Sequence, residues 1–196
     1  MRTNRRKMIR QSILPTSYER LEYIENTSTA YIDCGLKPKY TFDYEIKTNV
    51  VTGNTLLGIK NENTYVSNFR FFYVNIIMYF DVGPKRIRLK VPYIDKGLIH
   101  AKFGNYFIEN LRNKEKVTAD TFDEKLNGVK LSSNLLLFEE YSKAIGKVWL
   151  LNINDNGKPI RKFIPVKRKS DEVIGMYDLV GRKFYTSPNG VAFTGG

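Results

Sequence analysis

Apolar and polar residues alternate with a period of two over several stretches of the chain. Residues 40–47 read YTFDYEIK and residues 86–91 read RIRLKV, so every second side chain is apolar in both. In an extended segment, such alternation places the apolar side chains on one face and the polar side chains on the other. Both stretches are therefore predicted to be β-strands with one buried face and one solvated face.

Continuous apolar runs separated by turn residues predict further strands. Residues 69–80 (FRFFYVNIIMYF) are predicted to form a buried strand that ends in a turn at 81–84. Trp149, Leu151 and Ile153 are expected to share one face of a later strand. The other predicted strands and turns cover residues 98–108, 135–138, 154–157, 163–166, 182–186 and 187–190.

Helical periodicity is weak along the whole chain and is confined to two short stretches, 17–24 and 138–145. Many short strands with frequent turns are typical of an antiparallel arrangement of two packed sheets. The fold class is thus predicted to be all-β, an antiparallel β-sandwich. The stretches 14–35 and 148–195 are dense in Tyr, Phe, Ile and turn residues, and we expect them to close a single domain over 14–196.

Residues 1–13 differ in composition from the rest of the chain. They hold five cations and no acid, together with a few apolar side chains. A basic segment of this kind can order on an acidic partner, which predicts an anchoring arm, whereas a frayed terminus is the alternative interpretation. The candidate anchoring residues are Arg2, Arg5, Arg6, Lys7, Met8, Ile9 and Arg10.

The two end stretches also carry motifs that resemble a known family. The opening motif comprises Leu14-Pro15, Tyr18, Leu21-Glu22-Tyr23-Ile24, Tyr31-Ile32-Asp33 and Gly35. The closing motif comprises Asp155, Gly157, Arg161, Phe163-Ile164-Pro165, Gly175, Tyr177-Asp178, Lys183-Phe184-Tyr185, Gly190 and Phe193. Together they resemble the concanavalin A-like (laminin G-like) jelly-roll domains in structural proteins of phages and prophages from gut bacteria.

The resemblance implies a jelly roll that serves as a virion structural protein, in a fibre, a tail or a capsid decoration. It implies a capsid or tail protein as the partner of the arm, a virion location after synthesis in the bacterial cytoplasm, and homo-oligomers. Adsorption to the host surface is expected as a secondary role. A carbohydrate-binding, lectin-like module is the alternative function.

The net charge, the distribution of apolar residues and the cysteine content limit the classes of protein to which this chain can belong. The net charge of +12 suits nucleic acid, an acidic protein or an anionic surface, and charge alone selects none of them. The start of the chain has a basic region without an apolar core behind it, and no stretch reaches the length of a membrane span. Neither a signal peptide nor membrane insertion is therefore expected. The single cysteine, Cys34, excludes an intrachain disulfide and is expected to be a buried thiol.

Patterns typical of catalysis or metal binding are weak, so we expect neither an enzyme nor a cofactor. Residues 152–157 (NINDNG) have calcium-loop spacing, but neutral amides occupy the ligand positions, and a hairpin turn explains them. No E-x-D-x-E pattern of a jelly-roll glucanase is present. The lone His100 has no partner in sequence and is expected to face solvent from a strand.

A basic stripe is the main candidate contact surface. Arg86, Arg88 and Lys90 are predicted to share a strand face, which suits an anionic surface or glycan, with an ordinary solvated face as the alternative. The tyrosines considered for glycan contact are Tyr65, Tyr73, Tyr79 and Tyr106. Because aromatics are expected on the apolar side of each strand and cations on the other, specific nucleic-acid binding is not predicted.

Overall fold

Seventeen antiparallel β-strands and no α-helix are found in the part of the chain that the structure describes. This computed structural model describes residues 14–50, 55–59, 69–74, 76–82, 85–90, 97–104, 107–118, 133–138 and 144–196. The strands are β1 (Tyr18–Arg20), β2 (Ile24–Asn26), β3 (Ile32–Asp33), β4 (Phe42–Val50), β5 (Thr55–Ile59), β6 (Phe69–Val74), β7 (Ile77–Val82), β8 (Lys85–Lys90), β9 (Leu98–Gly104), β10 (Phe107–Asn110), β11 (Lys116–Thr118), β12 (Leu135–Leu137), β13 (Gly146–Asp155), β14 (Lys158–Arg168), β15 (Ile174–Asp178), β16 (Lys183–Tyr185) and β17 (Thr194–Gly195).

The strands form two sheets that pack as a β-sandwich. The large sheet has the order β11-β10-β9-β4-β13-β14-β15-β16, with β1 beside β14 and with β2 between β13 and β17. The small sheet has the order β3-β12-β5-β6-β7-β8. The predicted all-β antiparallel sandwich is therefore confirmed.

One hydrophobic core lies between the sheets and is rich in aromatic rings. Phe71 of the small sheet stacks on Phe103 of the large sheet, with ring centroids 4.2 Å apart and planes at 5°. Tyr44 stacks on the other side of this contact, 5.2 Å from Phe103. All three side chains are at most 1% exposed. The inward-facing apolar side chains of the alternating strands β4, β6 and β9 pack in this core.

The stretches near the two ends of the chain pair with each other, as expected. Tyr18 in β1 lies opposite Arg168 in β14, and β2 pairs with both β13 and β17. The amide of Tyr23 also donates to the carbonyl of Gly196 over 3.0 Å. Residues 17–24 thus lie in strands and turns, so the weak helical periodicity of this stretch does not correspond to a helix.

The apolar run 69–80 is a hairpin and not the single strand that was predicted. Its core-facing residues are odd-numbered in β6 and even-numbered in β7, and Val74 pairs with Ile77. A change of parity within an apolar run indicates that the chain has reversed direction. Asp81 and Val82 consequently belong to β7, and the turn predicted at 81–84 does not begin at Asp81.

A β-bulge in β13 overturns the expectation for Trp149. Val148 lies opposite Thr48 of β4, but Leu150 lies opposite Lys47, so Trp149 is an extra residue in the ladder. Val148, Leu151 and Ile153 are fully buried, whereas Trp149 is only half-buried and faces outward. Trp149 therefore does not share a face with Leu151 and Ile153.

Two other local predictions, the turn at 154–157 and the burial of Cys34, agree with the structure. Residues 154–157 form the turn of the β13–β14 hairpin, where Asn156 and Gly157 have φ values of 49° and 75°. Cys34 is fully buried, and this burial raises the pKa of its thiol. No helix among the described residues has the length and apolar character needed to span a membrane.

Candidate functional site

Three rows of side chains cross the outer face of the small sheet, over β6, β7 and β8. The sheet register aligns each row across the three strands. The first row is Arg70, Asp81 and Arg86; the second is Phe72, Tyr79 and Arg88; the third is Val74, Ile77 and Lys90. We call this surface the platform. It arises because every second side chain of each strand points away from the core.

A buried carboxylate at Asp81 organises the first row. Arg86 donates to it twice, from Nε to Oδ1 over 2.7 Å and from a terminal nitrogen to Oδ2 over 2.9 Å. Arg70 donates from Nε to Oδ2 over 2.8 Å. The Asp81 side chain is 5% exposed, whereas those of Arg70 and Arg86 are 41% and 50% exposed. Hydrogen bonding to Asp81 raises the pKa of Arg86. The carboxylate thus fixes two guanidinium groups that still reach solvent.

The aromatic pair of the second row fixes the same guanidinium groups from the side. Phe72 and Tyr79 stack with ring centroids 4.9 Å apart and planes at 8°. The guanidinium carbon of Arg70 lies 5.0 Å from the Phe72 centroid, and that of Arg86 lies 5.3 Å from the Tyr79 centroid. Such cation–π contacts are worth about 0.5–1 kcal/mol each at exposed sites. The rings therefore help to hold two arginines whose side chains remain partly exposed.

The platform carries an excess of positive charge. Its four cations face one carboxylate, and Asp81 is already shared by Arg70 and Arg86. Arg88 and Lys90 are exposed and form no ion pair with any residue that the structure describes. Two fixed guanidinium groups and two free cations make a surface suited to anions.

The structure brings four of the predicted contact residues together. Arg86, Arg88 and Lys90 lie on one exposed face of β8, as the alternation predicted, and Tyr79 lies beside them on β7. Tyr73 faces the core and is only 8% exposed, so it is not available to a surface ligand. Tyr65, Tyr106 and the arm residues 1–13 lie outside the described residues.

Sequence reasoning missed Arg70, Phe72 and Asp81. It also expected aromatics and cations on opposite faces, which is wrong here, because Phe72 and Tyr79 share the outer face with the arginines. The signal was the change of parity in residues 69–82. A hairpin interpretation of that run would have placed all three side chains on the face of the basic stripe.

A second polar cluster crosses the outer face of the large sheet. Glu45 of β4 is bonded on both sides: His100 Nε2 lies 2.8 Å from Oε1, and the Asn152 amide donates to Oε2 over 3.1 Å. Asp43 likewise accepts from the Asn154 amide over 2.7 Å, and the Lys102 ammonium lies 3.4 Å away. His100 thus lies on the outer face of its strand, as expected, but it is half-buried and paired with Glu45.

This second cluster does not have the properties of a glycosidase acid pair. Asp43 and Glu45 are two residues apart on one strand face, a D-x-E pattern that the search for E-x-D-x-E passed over. Burial alone would raise the pKa of Glu45, but hydrogen bonds from His100 and Asn152 outweigh it and lower the pKa. A general acid needs a raised pKa. Both carboxylates are also occupied by their own neighbours.

Comparisons with protein families and with curated proteins found no match for this chain. The resemblance of the two end motifs to phage jelly-roll domains therefore remains a prediction. Among the described residues, no group of three or more His, Cys, Asp or Glu side chains is arranged to hold a metal ion.

Proposed function

We propose that this chain is a structural module of a phage particle that binds acidic polysaccharide on the host surface through the platform. The observation that carries the proposal is the excess positive charge of a surface on which two arginines are fixed by Asp81. The sandwich would be of the concanavalin A-like jelly-roll type. The proposed role is binding and not catalysis, since the two carboxylates that share one face of β4, Asp43 and Glu45, are engaged with neighbouring side chains.

The arrangement of the cations suits an extended, repeating anion. Arg86, Arg88 and Lys90 follow one another at every second position of β8, which spaces them about 7 Å apart. A guanidinium group matches a carboxylate in a planar, two-bond geometry. A polymer with a carboxylate on each repeat can contact several of these cations at once, and many copies on a particle multiply the weak contacts.

The aromatic pair favours polysaccharide over single-stranded nucleic acid. Binding of single strands depends on free ring faces on which bases stack. Here Phe72 and Tyr79 stack on each other, which covers one face of each ring, and the guanidinium carbons of Arg70 and Arg86 lie 5.0–5.6 Å from the ring centroids. Guanidinium N–H groups match carboxylates and phosphates alike, so the preference for polysaccharide rests on the stacking of the two rings on each other.

The particle is the proposed location. Residues 1–13, with their five cations, would anchor the domain to an acidic surface of a capsid or tail protein, and the domain would form homo-oligomers. This part of the proposal rests on the resemblance of the end motifs and on the composition of the arm. Mass spectrometry of purified particles tests it: the chain should be present, and deletion of residues 1–13 should remove it from particles without unfolding the domain.

Affinity electrophoresis tests the platform. The protein should be retarded in gels that contain alginate, a polymer of uronic acids, and not in gels that contain neutral dextran. The double variant Arg88→Gln/Lys90→Gln should bind alginate about five- to tenfold more weakly, since each exposed charge contact contributes up to about 1 kcal/mol. Added salt should weaken the binding of the unmodified protein more than that of the variant.

The matched control removes two cations elsewhere on the surface. Lys158 and Lys169 are exposed and lie on the large-sheet side, so Lys158→Gln/Lys169→Gln changes the net charge equally. Equal weakening by both double variants would mean that net charge, and not the platform, drives binding. Tighter binding to duplex DNA than to alginate at the same ionic strength would overturn the choice of polysaccharide.

A further inference from the structure

Two of the three Asn-Gly pairs of the sequence lie in turns that the structure describes, and the structure holds them differently. Asn156-Gly157 is the two-residue turn between β13 and β14, and Asn189-Gly190 ends the turn at 187–190. The third pair, Asn127-Gly128, lies outside the described residues. Asn-Gly is the dipeptide most prone to loss of the asparagine amide, because glycine has no side chain to keep its backbone nitrogen away from the asparagine side chain.

Ring closure is the step of amide loss that the surroundings control. The backbone nitrogen of the glycine must approach Cγ of the asparagine to about 3–3.5 Å, with the asparagine side chain rotated toward it. Hydrogen bonds that hold the side-chain amide or the glycine N–H oppose this rotation and this approach. The two described pairs can therefore be compared through the hydrogen bonds of these groups.

Asn189 is held by both ends of its side-chain amide. Its Nδ2 donates to the carbonyl of Thr29 over 2.8 Å. Its Oδ1 accepts from Ser187 Oγ over 2.6 Å and from the backbone amide of Val191 over 3.1 Å. The N–H of Gly190 also donates to the carbonyl of Ser187 over 3.4 Å. Ring closure at Asn189 would therefore require several hydrogen bonds to break together.

Asn156 has much weaker restraints. Among the described residues, its side chain makes a single hydrogen bond, from Nδ2 to Oδ1 of the adjacent Asp155 over 3.2 Å. In the same part of the chain, the N–H of Gly157 donates no hydrogen bond. A Cβ built on Gly157 would have nothing beyond its chain neighbours within 4 Å, so the space beside the turn is open. The Asn156 side chain can thus turn toward the nitrogen of Gly157.

We propose that Asn156 is a site of spontaneous deamidation, a modification for which water is the only co-reactant. The backbone nitrogen of Gly157 gives up its proton and attacks Cγ of Asn156. A bond from this nitrogen to Cγ forms, the bond from Cγ to Nδ2 breaks, and ammonia leaves with the released proton. A water molecule then opens the five-membered succinimide at either of its carbonyls, which leaves aspartate or isoaspartate at position 156. Nothing is oxidised or reduced.

The modification would act on the hairpin of β13 and β14. Either product places a second negative charge beside Asp155, whose carboxylate lies 3.8 Å from the Lys39 ammonium. Isoaspartate also adds a methylene group to the backbone of the two-residue turn that sets Asp155 opposite Lys158. Because a tight turn fixes the register of its hairpin, the longer backbone should loosen this end of the large sheet. The platform lies on the other sheet, so this inference does not depend on the proposed function.

Peptide mass spectrometry of the folded protein, incubated at mildly alkaline pH, tests the site. Position 156 should convert about tenfold or more faster than position 189, with position 127 followed as a separate peptide. In urea the two rates should become similar, because both pairs are Asn-Gly and the folded contacts of Asn189 are lost. Equal rates in the folded protein, or faster conversion at 189, would overturn the proposal. A difference that persists in urea would also overturn it, since the flanking sequence would then set the rates.

The variant Asn156→Asp separates the effect of charge from that of the longer turn. It cannot lose ammonia at this position, so cation exchange should no longer detect the acidic form that arises there, and the rates at 127 and 189 should stay the same. The isoaspartate form of the unmodified chain, identified from its fragmentation spectrum, should unfold at a lower urea concentration than Asn156→Asp. Equal midpoints would overturn the predicted loosening of the hairpin. Retardation by alginate should be unchanged in both proteins.

Discussion

On the outer face of the small sheet, one carboxylate forms ion pairs with two arginines. On the outer face of the large sheet, each of the two carboxylates of β4 has its own hydrogen-bond or ion-pair partners. Asp81 is shared by Arg70 and Arg86, which leaves Arg88 and Lys90 without an ion-pair partner among the described residues. Glu45 has His100 and Asn152, and Asp43 has Lys102 and Asn154. The same residue types therefore produce a charged surface in one place and a balanced one in the other.

The two faces also use their aromatic residues differently. On the small sheet Phe72 and Tyr79 stack on each other and lie beneath guanidinium groups, so their role is to fix charge. On the large sheet the bulge presents Trp149 with only a tilted aromatic neighbour. The two faces thus differ in charge and in the packing of their outward aromatic rings.

The largest expected effect comes from removing the charge of Asp81. Asp81→Asn keeps the shape of the side chain but removes the buried negative charge that Arg70 and Arg86 share. Breaking a buried ion pair from one side costs about 3–5 kcal/mol, and the partial exposure of the arginines reduces this to about 2–3 kcal/mol. Urea denaturation followed by Trp149 fluorescence measures the loss.

An exposed ion pair provides the control for Asp81→Asn. Asp171 accepts two hydrogen bonds from Arg168, at 2.9 and 2.6 Å, but both side chains are well exposed. Asp171→Asn should cost much less than Asp81→Asn, because an exposed ion pair contributes little to stability. If both substitutions cost the same, Asp81 does not organise the platform, and the contrast between the two faces loses its basis.

A smaller effect, dependent on pH, is expected at Glu45. Its folded-state pKa is lowered from the usual 4.5, so the folded protein favours the carboxylate form. The resulting stability is present above that pH and is lost as the pH falls through the folded-state pKa. At pH 7, Glu45→Gln should cost about 1 kcal/mol or less because the site is partly exposed.

Acid denaturation curves of the two proteins measure this effect. The stability difference between the unmodified protein and Glu45→Gln should shrink as the pH falls below about 4.5, the unshifted value of the Glu45 carboxyl. Glu109→Gln, on strand β10 of the same sheet and separated from β4 by β9, serves as the matched control. A difference that stays constant with pH would show that Glu45 acts through packing and not through its charge.

Period-two alternation was sufficient to predict the sandwich because burial on one face imposes it on every strand. The strand that holds Tyr44 and Ile46, the basic face of β8 and the turn at 154–157 all follow from local residue types. Each of these features depends only on neighbours in sequence. The fold class could therefore be read without knowledge of which strands pair.

The platform and the outward position of Trp149 could not be predicted in the same way, because both depend on the register between strands. The platform requires Phe72 to lie opposite Tyr79, which follows only from the hairpin within residues 69–82. The outward position of Trp149 requires the bulge against β4, and nothing in the alternation of residues 146–155 marks the extra residue. Tertiary pairing decided which face each side chain took.

The smallest expected effect on stability is that of Arg88→Gln/Lys90→Gln, the variant that should most weaken alginate binding. Neither cation has an ion-pair partner among the described residues, and removal of like charges beside Arg86 relieves repulsion. The free energy of unfolding should change by less than about 0.5 kcal/mol and should rise slightly at low salt. Urea denaturation at low and high salt measures it. A loss well above that value would mean that these cations stabilise the sheet, so weaker alginate binding could no longer be attributed to a free charged surface.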